Sequence, residues 1–167
     1  TPKNELLLEI TPKNLENLYL LANRVSETSN SSNFTAGEML GDPFMFCLSA
    51  DTSNVYMHTV QTYDKVKEDD PIATSFKRNF NNPILKTFKI KASRNDTLLI
   101  DVTSFFVSNE KCITPIRQSV RTRETMSASY DASASRLKEV KSFEKNIEIT
   151  SILNFNITAG GYTLTMR

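Results

Sequence analysis

Ile84-Leu85-Lys86-Thr87-Phe88-Lys89-Ile90-Lys91-Ala92, then Ser93-Arg94-Asn95-Asp96, then Thr97-Leu98-Leu99-Ile100-Asp101-Val102, is the stretch on which the fold turns. Residues alternate with period 2 before four turn-forming residues and an apolar run returns after them, the pattern of two antiparallel strands joined by a tight turn. Phe88 and Ile90 set the register, because a slip of one residue would send both to the opposite face.

The same grammar recurs on either side. Phe44-Met45-Phe46-Cys47-Leu48 leads through Asp51-Thr52-Ser53-Asn54 into Val55-Tyr56-Met57-His58-Thr59-Val60, a second hairpin. Near the C-terminus, 147–157 and 162–166 read as two strands with Gly160-Gly161 as the loop between them. Leu6 to Ile10 is a short strand stopped by Thr11-Pro12, and Pro12 to Leu15 fits one helical turn. Leu18 to Val25 is helix or strand by periodicity and is assigned to a strand; Ser26 to Asn33, without apolar period, reads as a loop. Asp70 as N-cap and Pro71 as first residue start a short helix running to Phe80. Asp101 or Thr103 caps a turn through Val107. Residues 109–134 are the least regular, and Leu137, Val140 and Phe143, three apart, read as a helix face. The expected fold class is therefore mainly β (α+β): antiparallel sheets built from hairpins, with two or three short helices, in a single domain over 1–167. The start without Met and the stop at Met166-Arg167, straight after an apolar alternation, are read as cuts in a longer chain.

Composition excludes several classes of function. The 167 residues include 20 Lys and Arg against 19 Asp and Glu, a net charge of +1, far less basic than a domain that grips nucleic acid phosphates. One histidine and two cysteines leave little for a zinc site. Four glycines, with no glycine-rich fingerprint, argue against a phosphate-cradling loop and shift awkward turn positions onto Asn and Asp, which tolerate left-handed backbone best after glycine. No apolar run is long enough to span a membrane, and no signal peptide opens the chain. Asn, Ser and Thr supply 50 residues, a bias toward hydroxyl-rich strand faces and loops. Cys47 and Cys112 match no metal or redox spacing; two separate thiols are favoured over a disulfide, which spacing leaves open.

Each constellation that resembles chemistry has a simpler reading. His58 lacks a Gly-x-Ser-x-Gly elbow or an activated cysteine, and reads as a half-exposed strand histidine. Asp69 and Asp70 are followed by no calcium loop, so helix capping is favoured. Arg117, Arg121, Arg123, Arg136, Lys138 and Lys141 are offset by Glu110, Glu124, Asp131, Glu139 and Glu144, the mark of a mixed solvated face. Phe105, Phe106 and Val107 read as a core-filling turn, with an interface patch as the alternative. Four Asn-x-Ser/Thr sequons, at Asn30, Asn33, Asn95 and Asn156, are within what so biased a composition produces. No residue is assigned a catalytic, cofactor-binding or metal-ligating role, and no cofactor is expected.

Leu18 to Ser26, Ala36-Gly37-Glu38-Met39, Leu99 to Phe106, Ser135-Arg136, Val140 to Ile149 and Thr163 to Arg167 together resemble, in that order, a domain of unknown function found in bacterial zinc-dependent metalloproteases of the Bacteroidota. There it lies directly before a zincin catalytic domain with an extended His-Glu-x-x-His motif. Glu144 departs from the family pattern, which often has proline before the Lys/Asn-Ile-Glu strand. The resemblance implies that the zinc ligands and the general-base glutamate lie outside these 167 residues. It implies a non-catalytic accessory domain whose partner is the zincin catalytic domain of the same parent chain, in a periplasmic or cell-surface, often lipid-anchored, protein. It carries over no functional residue. From the residues alone, the alternative is an independent binding module for glycan or protein, using the hairpin loops near Asp51–Asn54 and Ser93–Asp96.

Overall fold

A computed structural model of the chain describes residues 4–31, 34–62, 66–114, 128–157 and 160–166. In chain order the elements are β1 (Leu7–Ile10), α1 (Pro12–Leu15), β2 (Leu18–Leu21), β3 (Val25–Thr28), β4 (Phe44–Ala50) and β5 (Asn54–Thr59). Then follow α2 (Ala73–Asn79), β6 (Ile84–Arg94), β7 (Thr97–Asp101), α3 (Thr103–Phe106), β8 (Ala128–Ser142), β9 (Ile147–Ile157) and β10 (Gly160–Met166). This is the mainly β, antiparallel architecture with three short helices that the sequence predicts. The chain divides into two compact units, one of residues 7–21 and 43–101, the other of residues 1–6, 22–42 and 102–167.

The first unit is a six-stranded sheet in the order β1-β7-β6-β5-β4-β2, every pairing antiparallel. Period-2 alternation sorts its residues: Leu48, Val55, Met57 and Phe88 are buried and pair across β4, β5 and β6, while Ser49, Tyr56 and His58 take the other face. The β6–β7 turn is two residues long, with Asn95 at φ 48° and Asp96 at φ 61° between the paired Arg94 and Thr97. Positive φ at both central positions defines the turn that matches strand twist, so Asn and Asp do take positions that glycine usually fills. In α1, Asn14 N–H donates to the Thr11 carbonyl at 2.9 Å and Thr11 N–H donates to Asn14 Oδ1 at 2.7 Å. The second helix starts two residues later than expected. Asp70 Oδ1 accepts Ile72 N–H at 2.9 Å and so caps the turn that leads into α2.

The second unit is a four-stranded sheet, β3-β10-β9-β8, around a core of Val25, Phe34, Leu40, Leu153 and Phe155, with Ala128 and Tyr130 packed against it. Tyr130 meets Phe155 edge to face at 5.7 Å and donates its hydroxyl to the Val107 carbonyl at 2.8 Å. Lys138 Nζ on β8 lies 2.7 Å from Glu27 Oε1 on β3. In a flat sheet of four, the outer strands stand roughly 14 Å apart; the sheet curls to bring these two together. Phe105 and Phe106 pack edge to face at 5.1 Å, with Phe105 buried, which is the core-filling reading of that turn.

Several expectations are corrected, one of them at the passage from the first unit to the second. Leu18–Val25 is not one strand: β2 ends at Leu21, and Val25 opens β3 in the other sheet, so Ser26, Glu27 and Thr28 are strand rather than loop. Thr103 does not cap its own helix; its Oγ1 accepts Leu6 N–H at 2.7 Å. Residues 128–142 form one strand in place of an irregular segment and a helix. Its register with β9 breaks twice: residues 132–135 stand against Leu153 alone, and Lys138 is an extra residue between Leu137↔Ser151 and Glu139↔Thr150. Asp131 Oδ1 holds the first bulge, accepting Ser133 N–H at 2.9 Å and Ala134 N–H at 3.3 Å. Gly160 and Gly161 pair with Ile157 and Asn156 and are strand residues, not the loop. The part of the irregular segment at 115–127 lies outside the described residues.

Magnitudes separate the two interactions of the second sheet. Phe155 is 1% exposed, and Phe155→Ala lowers unfolding free energy by about 3–5 kcal/mol in denaturant titrations. Lys138→Ala, which removes a solvent-exposed ion pair, costs less than about 1 kcal/mol in the same measurement.

Candidate functional site

The densest polar arrangement built from the sequence candidates stands on the β4–β5 hairpin, in the first unit. Asp51 N–H donates to the Asn54 carbonyl at 2.9 Å, and Asp51 Oδ1 accepts Ser53 N–H and Asn54 N–H at 2.7 Å each. Tyr56 donates its hydroxyl to Asp51 Oδ2 at 2.6 Å. These bonds hold the Asp51 carboxyl below its ordinary value of 3.8, the Tyr56 hydroxyl contributing most, and the same bond pushes the Tyr56 phenol up.

Beyond Tyr56 on the same face, His58 Nε2 lies 2.8 Å from Ser49 Oγ, and Nδ1 lies 3.1 Å from the Asn82 carbonyl. A carbonyl oxygen only accepts, so Nδ1 carries the proton and Nε2 offers its lone pair to the Ser49 hydroxyl. Serine, imidazole and an orienting acceptor are thus connected as in nucleophilic catalysis, with a backbone carbonyl in place of a carboxylate. The pair nevertheless stands on an open sheet face with Ser49 exposed. Acyl transfer draws most of its acceleration from donors fixed in a water-excluded site, so the arrangement is better suited to holding the hairpin face in one conformation. His58 is half-buried on its strand, as its alternation predicts; Ser49 and Asn82 are partners that the sequence reading missed. Their signal lies in the register: once Ser49 pairs with Tyr56, the next residue on that face is His58.

The other candidates are dispersed. Asp69 and Asp70 are exposed at the start of α2. Lys138 and Lys141 are paired with Glu27 and Glu139, at 2.7 Å and 3.0 Å, which is the mixed solvated face, whereas Arg117, Arg121 and Arg123 lie outside the described residues. Of the sequon asparagines, Asn95 is exposed at the β6–β7 turn, Asn156 is exposed within β9, Asn30 is half-buried, and Asn33 is outside the described residues. Cys47 and Cys112 are both half-buried and are not bridged to each other. Among the described residues, no group of three or more His, Cys, Asp or Glu side chains is placed to hold a metal ion, and no helix is long and apolar enough to cross a membrane. A shallow, open depression lies beside the β6–β7 turn, lined by Glu9, Ser93, Arg94, Thr97 and Leu99.

Fold and site together define an antiparallel β protein whose ordered polar groups serve its turns. Residues 37–167 match the family described as Domain of unknown function (DUF5117), and the chain belongs to that family. No curated protein and no solved structure matches it.

Tyr56→Phe removes the strongest bond to Asp51, so the Asp51 titration midpoint, followed by NMR, rises toward 3.8. A carboxyl depressed on folding adds stability above its unfolded pKa and loses it as pH falls through the folded value. Asp51→Asn therefore gives a stability profile that falls less steeply than wild type below pH 3.8.

Proposed function

We propose that the chain is a non-catalytic accessory domain of a secreted or periplasmic zinc-metalloprotease-like protein, packing on the zincin catalytic domain of the same parent chain or shaping access to its cleft. The observation that carries this reading is the outward face of the six-stranded sheet. Leu18 and Leu20 are 59% and 65% exposed on the edge strand β2, and Ile84 is 56% exposed on β6. The row Leu18, Cys47, His58, Ile84 runs across four strands, with Leu20 opposite Met45 beside it. Large apolar side chains standing together on a sheet face are what a domain presents to a covering neighbour. The family resemblance supplies that neighbour, and the export of its members supplies a periplasmic or cell-surface location, with lipid anchoring through the parent chain.

Peptide hydrolysis assayed with and without chelator tests the reading. The full-length parent is expected to turn over substrate in a chelator-sensitive way, and this chain alone is expected to be inactive; chelator-sensitive turnover by the chain alone overturns it. Leu18→Lys with Leu20→Lys weakens its binding to the isolated catalytic domain by at least about tenfold, the loss of burying two leucines.

A second reading, an independent cell-surface binding module for glycan or protein, would use the shallow depression beside the β6–β7 turn. The depression offers a cation, a carboxylate and hydroxyls around Leu99, a mixture suited to a polar ligand with one apolar face. Glycan-array binding that Arg94→Ala abolishes, without binding to the catalytic domain, selects this reading over the first.

A further inference from the structure

In the first unit, His58 is held at both ring nitrogens by parts of the chain that are themselves fixed. Cys47 pairs with His58 and Ser49 with Tyr56, which makes Ser49 and His58 diagonal neighbours on one sheet face. On the other flank, the β5–β6 pairing carries a bulge, with Leu85 as the extra residue between Met57↔Lys86 and His58↔Ile84. Bulges bend a strand and re-aim its side chains. The connection before β6 is secured against β5 there: Thr59 N–H donates to the Pro83 carbonyl at 3.1 Å and Gln61 N–H to Asn82 Oδ1 at 3.4 Å. The Asn82 carbonyl that accepts Nδ1–H is therefore a fixed acceptor. It commits the proton to Nδ1 and leaves the Nε2 lone pair aimed at Ser49 Oγ, 2.8 Å away.

A positioned base within hydrogen-bond reach of a hydroxyl promotes its attack on an electrophile. Repeated turnover needs more, a water-excluded site with fixed donors, and Ser49 is exposed. The same exposure suits an acceptor, because a single transfer requires only that the donor reach the oxygen. The surroundings select the donor. Tyr56, opposite Ser49, binds the Asp51 carboxylate, so an anionic phosphoryl donor approaches against a negative charge. An uncharged acyl donor meets the Tyr56 ring, centred 6.4 Å from that of His58, and Leu18 and Ile84, which flank Cys47 and His58 in the next row.

We propose that Ser49 is a modification site: it accepts a carboxylic acyl group from an uncharged activated ester or thioester, with His58 as general base. Ser49 Oγ forms a bond to the acyl carbon while its proton passes to His58 Nε2. The bond from that carbon to the leaving oxygen or sulfur then breaks, and the leaving group departs with the proton from Nε2. The products are an O-acyl serine, a free alcohol or thiol, and His58 in its original tautomer. Between the two proton transfers, the Asn82 carbonyl faces the imidazolium and stabilises its charge. The inference stands apart from the accessory reading, since it concerns this chain alone and needs no catalytic domain.

Brief exposure of the 167-residue chain to p-nitrophenyl acetate, followed by peptide mass mapping, tests it. Ser53, an exposed serine in the turn of the same hairpin, is the internal reference. Acetyl is expected on Ser49 at least about tenfold over Ser53. His58→Gln keeps a polar side chain but no base, and brings that ratio to about one; thermal melts establish that the variant is folded. His58 is the one histidine of the chain, so diethyl pyrocarbonate blocks the imidazole without a substitution. It is expected to abolish the preference in folded wild type, and hydroxylamine, which removes the blocking group, to restore it. A ratio near one in untreated wild type overturns the proposal. So does a preference that survives loss of the imidazole, or acetyl that maps to Cys47 in place of Ser49.

Discussion

Backbone N–H groups left over where a strand bends are bonded by water or by a side chain, and a side-chain acceptor fixes the bend in one conformation. In this chain the acceptor is repeatedly an aspartate. Asp51 takes the N–H groups of Ser53 and Asn54 at the β4–β5 turn, Asp70 takes that of Ile72 before α2, and Asp131 takes those of Ser133 and Ala134 in the β8 bulge. With four glycines in 167 residues, the chain has few places where backbone freedom alone can make a turn. Asp51 and Asp131 are both held below the ordinary carboxyl value, first by the hydroxyls of Tyr56 and Ser133 and then by these backbone bonds. Their charge is thereby part of the turn geometry.

The hairpins of the six-stranded sheet were legible because alternation and turn residues mark them: residues 44–60 pair without a shift, and residues 84–102 pair with one extra residue, Lys91, between Ile90↔Ile100 and Ala92↔Leu99. The β8 strand was not, and the reason is its bulge. Leu137 and Val140 face the same side, opposite Ser151 and Ile149, although they are three residues apart. One extra residue inserted in a period of two produces a spacing of three, which imitates a helix. The boundary between β2 and β3 left no mark either: Leu18 to Val25 is an apolar run without glycine or proline, and the chain passes from one sheet to the other inside it. Asn23, at the crossing, donates its side-chain amide to the Ile113 carbonyl at 3.0 Å, a partner ninety residues away that no local pattern announces.

For the site, His58 could be placed on a strand face from alternation, but its surroundings depended on register. Ser49 follows from the pairing of the hairpin; Asn82 does not, because it lies in the connection before β6. The Asp51–Tyr56 bond joins residues five apart across the turn, within reach of reasoning from the hairpin. Side chains that act within one hairpin are thus recoverable from the sequence, and those brought from beyond it are not.

The pairing of β3 with β10 joins Thr28 to Leu164. Most of the chain, including every strand of the six-stranded sheet but β1 and β2, is threaded between these partners. Loop-closure entropy must be met before such a contact returns anything, whereas the hairpins of the other unit need only short closures. By that argument β3 joins the four-stranded sheet after the β8–β9 and β9–β10 hairpins, whose closures are short. During synthesis β3 emerges well before β10, so its edge stays unpaired while the residues between them are made. The polar residues Ser26, Glu27 and Thr28 on that waiting edge make it a poor template for misassembly.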